Sequence, residues 1–386
     1  MRRLRVVRVY KNLDAGGGIQ TRLLELLPRL AEHVDLRVLC YRKRGSRAAE
    51  LEEAGIPVDV IPTGSKWTPR NVRRYVRYFR DQAPDVVHTH EYTANTLMIH
   101  AAWKAGVPVR IRHIHTMAPW GWGGAIRTRL RVLADRKAAK KARVTLAVSD
   151  AVRRVFLAAT GLPPEMCKVL YNGIDLTPYA DARAGGEAFR VEWGIPSGTP
   201  LVGIVGRLSR GKGHEHFLRA ARKITDENPE ARFLVVGDGG RRPHLEALAA
   251  DLGLGDRVIF TGHLDNVAPA LGAMDVFLFT SLPEHDGRIQ DGLPGVVIEA
   301  LAAGVPVVAF DLPMVVEIMG RGPCGVRVPD GDVDALVREV CSFLQDSQAL
   351  VSAREDALSR ATRFDVRTTA DETLKLYEQL VSGGGV

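Results

Sequence analysis

Three groups of residues in this 386-residue chain have types and spacings suited to handling a phosphate-bearing ligand. In the first, the apolar run Gly203–Val205 delivers Gly206 and Arg207, and Lys212 follows between Gly211 and Gly213. Two cations at a strand end, beside glycines, can neutralise the charge that develops on a leaving diphosphate, without a metal. In the second, Asp291-Gly292-Leu293-Pro294-Gly295 runs into an apolar helix start. Backbone N–H groups at Gly295, Val296 and Val297 can hold phosphate oxygens there. Glu299, about one turn further on, can accept hydrogen bonds from the vicinal hydroxyls of a sugar. In the third, Asp14-Ala15-Gly16-Gly17-Gly18-Ile19 follows the first apolar run. Gly17 and Gly18 let backbone amides approach a phosphate, or simply serve a turn that needs positive φ.

The elements that must position these groups alternate along the chain. Residues 4–10, 35–40, 58–61, 85–89, 107–111 and 144–148 read as strands, and 20–30, 69–82, 93–103 and 126–141 carry helical spacing. After Asn172-Gly173-Ile174-Asp175 an Ala-, Gly- and Pro-rich stretch reads as a linker. The alternation then restarts, with strands at 201–205, 232–236, 257–260, 275–279 and 306–310 and a last helix near 366–380. Parallel βαβ units in tandem predict an α/β protein of two Rossmann-like doubly wound domains, with a ligand in the cleft between their strand ends. The expected division is 1–180, 181–365 and a terminal helix at 366–386 that packs back toward the first domain and ends in a frayed glycine tail.

Charge divides the same way. Residues 1–180 carry 32 Lys and Arg against 15 Asp and Glu, whereas the remainder carries 21 against 30. A basic first half suits an anionic ligand, an anionic membrane surface or nucleic acid. Pro119-Trp120-Gly121-Trp122 precedes a basic helix running through Arg143. The tryptophans suit either a membrane interface or the wall of an acceptor pocket. No recognition-helix motif or RNA-binding aromatic signature supports nucleic acid. The hydrophobic fraction, 46%, rules out disorder, and no apolar run reaches the length of a membrane-spanning helix. The four cysteines, Cys40, Cys167, Cys324 and Cys341, form no C-x-x-C pair, which favours a reducing cytosol. Asp330-Gly331-Asp332-Val333-Asp334 reads as a turn and helix cap, and no His/Cys group has zinc spacing, so no metal is expected.

Taken in order, these motifs resemble the family 4 retaining glycosyltransferases, whose two Rossmann-like domains form the GT-B arrangement. The resemblance covers nearly the whole chain. It includes Asp85-Val86-Val87-His88-Thr89-His90, Val148-Ser149, Asn172-Gly173-Ile174-Asp175, Gly206-Arg207 with Lys212-Gly213, Val236-Gly237-Asp238-Gly239, and an acid placed before Glu299. It implies that a hexose-type sugar passes from a nucleoside diphosphate, UDP-linked, to a hydroxyl acceptor with retention. No cofactor beyond that co-substrate is implied. Arg207 and Lys212 would bind the diphosphate, Glu299 the ribose, and Gly262-His263 would lie beside the base. The first acid departs from the usual Ser-x-x-Glu-Gly-x-Pro pattern: spacing favours Asp291 and residue type favours Glu284. The resemblance also implies a first-domain histidine near the reacting centre, with His115 the first choice, then His113, with His90 a further candidate. Two acceptor classes remain open, an envelope lipid or polysaccharide precursor met at the inner face of the membrane and a small secondary-metabolite core. A sugar-nucleotide epimerase of similar fold is the alternative activity.

Overall fold

The computed structural model describes residues 2–14, 18–62, 67–117, 119–121, 124–282 and 291–383, excepting the side chains of 18–20 and 23. Two compact units emerge, one of Met1–Gly173, Gln290–Leu293 and Val366–Val386, the other of Ile174–Ile289 and Pro294–Asp365. Gly17, Trp122 and Glu284 lie outside the described residues.

The first unit is a parallel sheet of β1 (Arg5–Tyr10), β2 (Asp35–Cys40), β3 (Val58–Val60), β4 (Val86–His90), β5 (Val109–Ile114), β6 (Val144–Ala147) and β7 (Cys167–Val169). Its spatial order is β3-β2-β1-β4-β5-β6-β7. Side chains alternate between the two faces of each strand. On β1, Val7 and Val9 join the core under the helices Pro69–Gln82 and Ile99–Ala105. Val6 and Tyr10 join the opposite core, with Leu27 and Leu30 of the helix Gly18–Ala31 and Ala370, Tyr377 and Leu380 of the helix Val366–Val381. That second face is aliphatic at the strand starts, where Val6, Val86, Val109 and Val144 meet. It turns polar toward the strand ends, where Arg8 is paired in register with His88, and His90 with His113.

The second unit repeats the plan with β8 (Leu201–Val205), β9 (Arg232–Val236), β10 (Val258–Gly262), β11 (Val276–Phe279), β12 (Val307–Phe310) and β13 (Gly325–Val328), ordered β10-β9-β8-β11-β12-β13. In both sheets the order reverses beside the first strand, which creates a switch point at the strand ends. β7 and β13, each at a sheet edge, escape the sequence reading.

The stretch read as a linker is a helix, Ala182–Glu192, and this corrects the sequence expectation. Its glycines serve close packing against the helix Ala268–Ala273. A Cβ on Gly186 would fall 2.3 Å from the Gly272 carbonyl carbon, and one on Gly272 only 1.8 Å from the Ala182 oxygen. Arg190 then locks the pair, donating to the Ala273 carbonyl at 2.7 and 2.9 Å and to Asp275 at 3.0 Å. Asp332 caps the helix Val333–Gln345, accepting from the Ala335 amide at 2.9 Å. All four cysteines are buried and unpaired. Among the described residues, no helix is long and apolar enough to cross a membrane.

Candidate functional site

At the switch point of the second sheet the chain leaves β8 through Gly206, Arg207 and Leu208. Backbone bonds fix this turn on both sides: the Gly206 amide donates to Val236 O at 2.9 Å and the Leu208 amide to Asp238 O at 2.9 Å. Arg207 is thereby held at the strand-end edge, where its side chain is exposed. The approach demands glycine opposite, since a Cβ on Gly237 would sit 2.1 Å from Gly206 O. The Gly237 amide donates in turn to Gly262 O at 2.8 Å, which brings the ends of β8, β9 and β10 together. Gly206, Gly237 and Gly262 thus form one backbone edge, half-buried at Gly206 and Gly237 and buried at Gly262, with His263 projecting outward beside Asp265 at 3.5 Å.

Lys212 is half-buried and precedes the helix His214–Glu227. Gly213 takes φ +73°, and a Cβ there would meet Thr280 O at 1.7 Å. The Leu282 amide donates to Gly211 O at 3.0 Å and Thr280 Oγ1 to Gly213 O at 2.9 Å, so the Lys212 loop is sewn to the end of β11. Arg207 and Lys212 therefore stand on the same strand-end edge. The helix Gly295–Ala302, between β11 and β12, carries Glu299 in its second turn. The Val297 amide donates to Pro294 O at 3.1 Å, leaving Gly295 and Val296 as the leading amides of that helix. His214, beside Lys212, is buried and its imidazole is pushed down to about 4, chiefly by burial.

The first sheet builds a different edge. His115 lies just past β5, half-buried, with its Nε2 2.8 Å from His90 Nδ1 and its Nδ1 3.3 Å from the Asn172 side-chain nitrogen position. Arg8, fully inside the sheet, donates to His90 Nε2 from Nη2 at 2.9 Å and from Nε at 3.3 Å. His88 Nδ1 meets the Tyr377 hydroxyl at 2.8 Å. Burial, aided by the Arg8 charge, holds His88, His90 and His113 well below the ordinary imidazole range and pushes His115 down to about 3. All four rings are neutral at pH 7.

One ring nitrogen each from His88, His90 and His113 fall within 4.8 Å of one another, a grouping that their sequence spacing conceals. Their geometry does not suit a metal. The His88 and His90 rings stack at 4.6 Å and 18°, so their in-plane lone pairs do not converge, and the Nε2 lone pair of His90 is engaged by Arg8.

Asp291, Gly292 and Leu293 group with the first unit. Ser149 donates to Gly292 O at 2.7 Å, and a Cβ on Gly292 would sit 2.3 Å from His115 O. The acid-bearing segment therefore passes directly against the His115 backbone. Gly18 opens the helix Gly18–Ala31. Trp120 is buried and donates to Asp135 Oδ2 at 2.9 Å, with Asp135 also paired to Arg112. This side chain belongs to the core and not to an interfacial surface.

Sequence reasoning missed Glu91. It follows β4 at φ +64°, a left-handed conformation that is rare for a non-glycine residue and strains the backbone. Its carboxyl, raised by burial, accepts from the Tyr41 hydroxyl at 3.5 Å and from the Lys11 backbone. It lines a cavity of about 330 Å³ with Lys11, Tyr41, Arg42, Tyr92 and Arg131. The strand-end position of Glu91 is readable from the sequence; its backbone strain is not.

Residues 16–178 match the model described as Glycosyltransferase Family 4, and residues 199–346 the model described as Glycosyl transferases group 1. The chain is 30% identical over 289 residues to a 2-deoxystreptamine glucosyltransferase of Streptomyces kanamyceticus, covering 73% of each protein. It is 27% identical over 390 residues to a phosphatidyl-myo-inositol mannosyltransferase of Mycolicibacterium smegmatis, covering 97% of this chain and 93% of that one. Among solved structures, Anabaena HepE in complex with UDP superimposes with a TM-score of 0.83 at 22% identity, over 97% of this chain and 100% of the other. With two Rossmann-like units in the GT-B fold and both family models matched in order, this chain belongs to the family 4 glycosyltransferases.

Proposed function

We propose that this glycosyltransferase moves a hexose-type sugar from a UDP-linked donor to a hydroxyl of a small cyclitol or aminocyclitol, with retention at the anomeric carbon. The acceptor oxygen bonds to that carbon as the carbon–phosphate oxygen bond breaks, and the hydroxyl proton leaves with the diphosphate. Arg207 and Lys212 neutralise the departing charge, together with the leading amides at Gly295 and Val296, so no metal is required. Glu299 holds the ribose, and Gly262 and His263 flank the base. Of the two acids, Asp291 takes the place beside the donor sugar, because its segment rests on His115. The UDP complex of HepE supports the nucleotide, and the 2-deoxystreptamine glucosyltransferase supports the acceptor class.

One observation carries the acceptor reading: the cavity holding Glu91. A half-buried carboxylate beside two tyrosines can accept hydrogen bonds from vicinal hydroxyls or an ammonium, and aromatic faces pack on a saturated ring. Incubating the protein with UDP-hexoses and 2-deoxystreptamine should yield a new glycoside whose anomeric configuration matches the donor, and EDTA should leave the rate unchanged. Glu91→Gln should raise the acceptor KM roughly tenfold or more while sparing the donor KM. A donor KM that moves equally removes Glu91 from the acceptor site.

A second reading, a membrane-borne acceptor, rests on the helix Ala125–Ala139. Ile126, Leu130 and Leu133 are 77%, 62% and 52% exposed and share one face. Arg129, Arg136, Lys137 and Lys140 are exposed around them. An apolar stripe edged by cations suits the inner, anionic face of a membrane. Sedimentation with vesicles rich in anionic lipid separates the readings, since failure to bind at low salt excludes the second.

A further inference from the structure

We propose that Arg8 and His90 are positioning residues that fix the ring of His115 in one tautomer, through a hydrogen-bond relay running Arg8–His90–His115–Asn172. The inference rests on the reading of His115 as the histidine beside the reacting centre.

The argument follows from donor and acceptor inventory. A guanidinium can only donate and keeps its proton at every working pH. Because Arg8 reaches His90 Nε2 through two nitrogens, that atom must carry the lone pair. His90 is neutral, so its proton sits on Nδ1. That proton points at His115 Nε2, 2.8 Å away, which must then be an acceptor too. His115 is neutral as well, which leaves its proton on Nδ1, facing Asn172. The Asn172 amide must therefore turn its oxygen, not its nitrogen, toward the ring. The two are interchangeable in position, and the relay decides between them.

Arg8 is costly to keep in the sheet. It is 2% exposed, has no ion pair among the described residues, and its Nη1 finds no partner. A valine, as at Val6 and Val7 on the same strand, would fill the interior without that desolvation penalty. What the guanidinium supplies is direction: it is the one member of the chain whose donor role cannot invert. Stacking of Tyr10 on His90 at 4.3 Å and of His90 on His88 holds the ring in plane for the two bonds. A consequence is that neither nitrogen of His115 is available as a general base, so His115 acts by its fixed polarity and not by taking a proton.

The test uses the full chain with ¹⁵N-labelled histidine, the His115 ring being assigned by its loss in His115→Gln. In the native protein at pH 7, Nδ1 of His115 should be protonated and Nε2 not. Arg8→Met should release the lock, giving mixed tautomers at His90 and His115. Turnover should fall roughly tenfold or more, with little change in the KM for the nucleotide sugar. Asn172→Asp, approached from the other end of the relay, should keep the Nδ1–H tautomer and most of the turnover, whereas Asn172→Leu should lose both. An Nε2–H tautomer or an imidazolium in the native protein overturns the relay, as does a folded Arg8→Met with unchanged ring signals. Changed ring signals with unchanged turnover leave the relay standing and instead overturn the placement of His115 at the reacting centre.

Discussion

The two sheets share a strand order and differ in what they put at its switch point. In the second unit the edge is made of glycine backbone and cations: Gly237 meets both Gly206 and Gly262, Arg207 is exposed and Lys212 half-buried. In the first unit the equivalent edge is made of inward polar side chains, with Arg8, His88, His90 and His113 all at most 3% exposed. One topology therefore supports two strategies. Under the proposed function, the second edge would grip a polyanion through backbone amides and cations, whereas the first would set a reacting centre through rings whose hydrogen bonds are fixed before any ligand arrives.

The comparison breaks first at the two cations of the second edge. Arg207→Ala and Lys212→Ala should each lower turnover by about 10²–10³ while the thermal midpoint stays within a few degrees. Near-normal turnover in both would leave the second edge without its assigned role. Acid sharpens the contrast next. The buried histidines are bases whose folded-state pKa values lie below the unfolded value of about 6.5, so the unfolded chain binds more protons. Their contribution is complete above about pH 6.5 and drains as the pH falls toward about 3 for His115 and about 4 for His214. Four such rings in the first unit predict that its sheet amides lose hydrogen-exchange protection at pH 5 before those of the second unit. Simultaneous loss would contradict that.

A third comparison is steric. Gly213→Ala should cost at least about 2 kcal/mol, because positive φ combines with overlap on Thr280. Gly106→Ala, at φ +82° with no atom within 4 Å, should cost about 1 kcal/mol. Equal denaturation midpoints for the two would show that the Gly213 loop yields. The smallest effect belongs to Ser149→Ala. It removes the bond to Gly292 and the cap on Val152, for about 1 kcal/mol by urea unfolding.

Sequence legibility follows the same division. The Arg207–Gly213 loop and the helix start at Gly295 are local objects whose glycines and charges lie within a few residues of one another, so pattern reading finds them. Strands β1, β2 and β8 are equally local, each a short β-branched run between turn residues. The first-unit cluster joins residues 8, 90, 115, 172 and 377, and no window of sequence contains it. Arg8 is visible as a charge inside an apolar strand, but its target is not. The Ala182–Glu192 helix misled for a physical reason: glycine marks both a loose chain and a tight helix crossing, and only the neighbour at Gly272 tells them apart.

The helix Val366–Val381 has a consequence for how the chain comes into being. Its Tyr377 caps His88, and its Ala370 and Leu380 finish a core begun by Val6. During synthesis the first sheet must leave the ribosome with one face only partly covered, by the helix Gly18–Ala31, while the whole second unit is made. Folding of the first unit is therefore completed by a segment made after the second, and a nascent chain stopped short of that helix would expose part of that sheet face to chaperones and proteases.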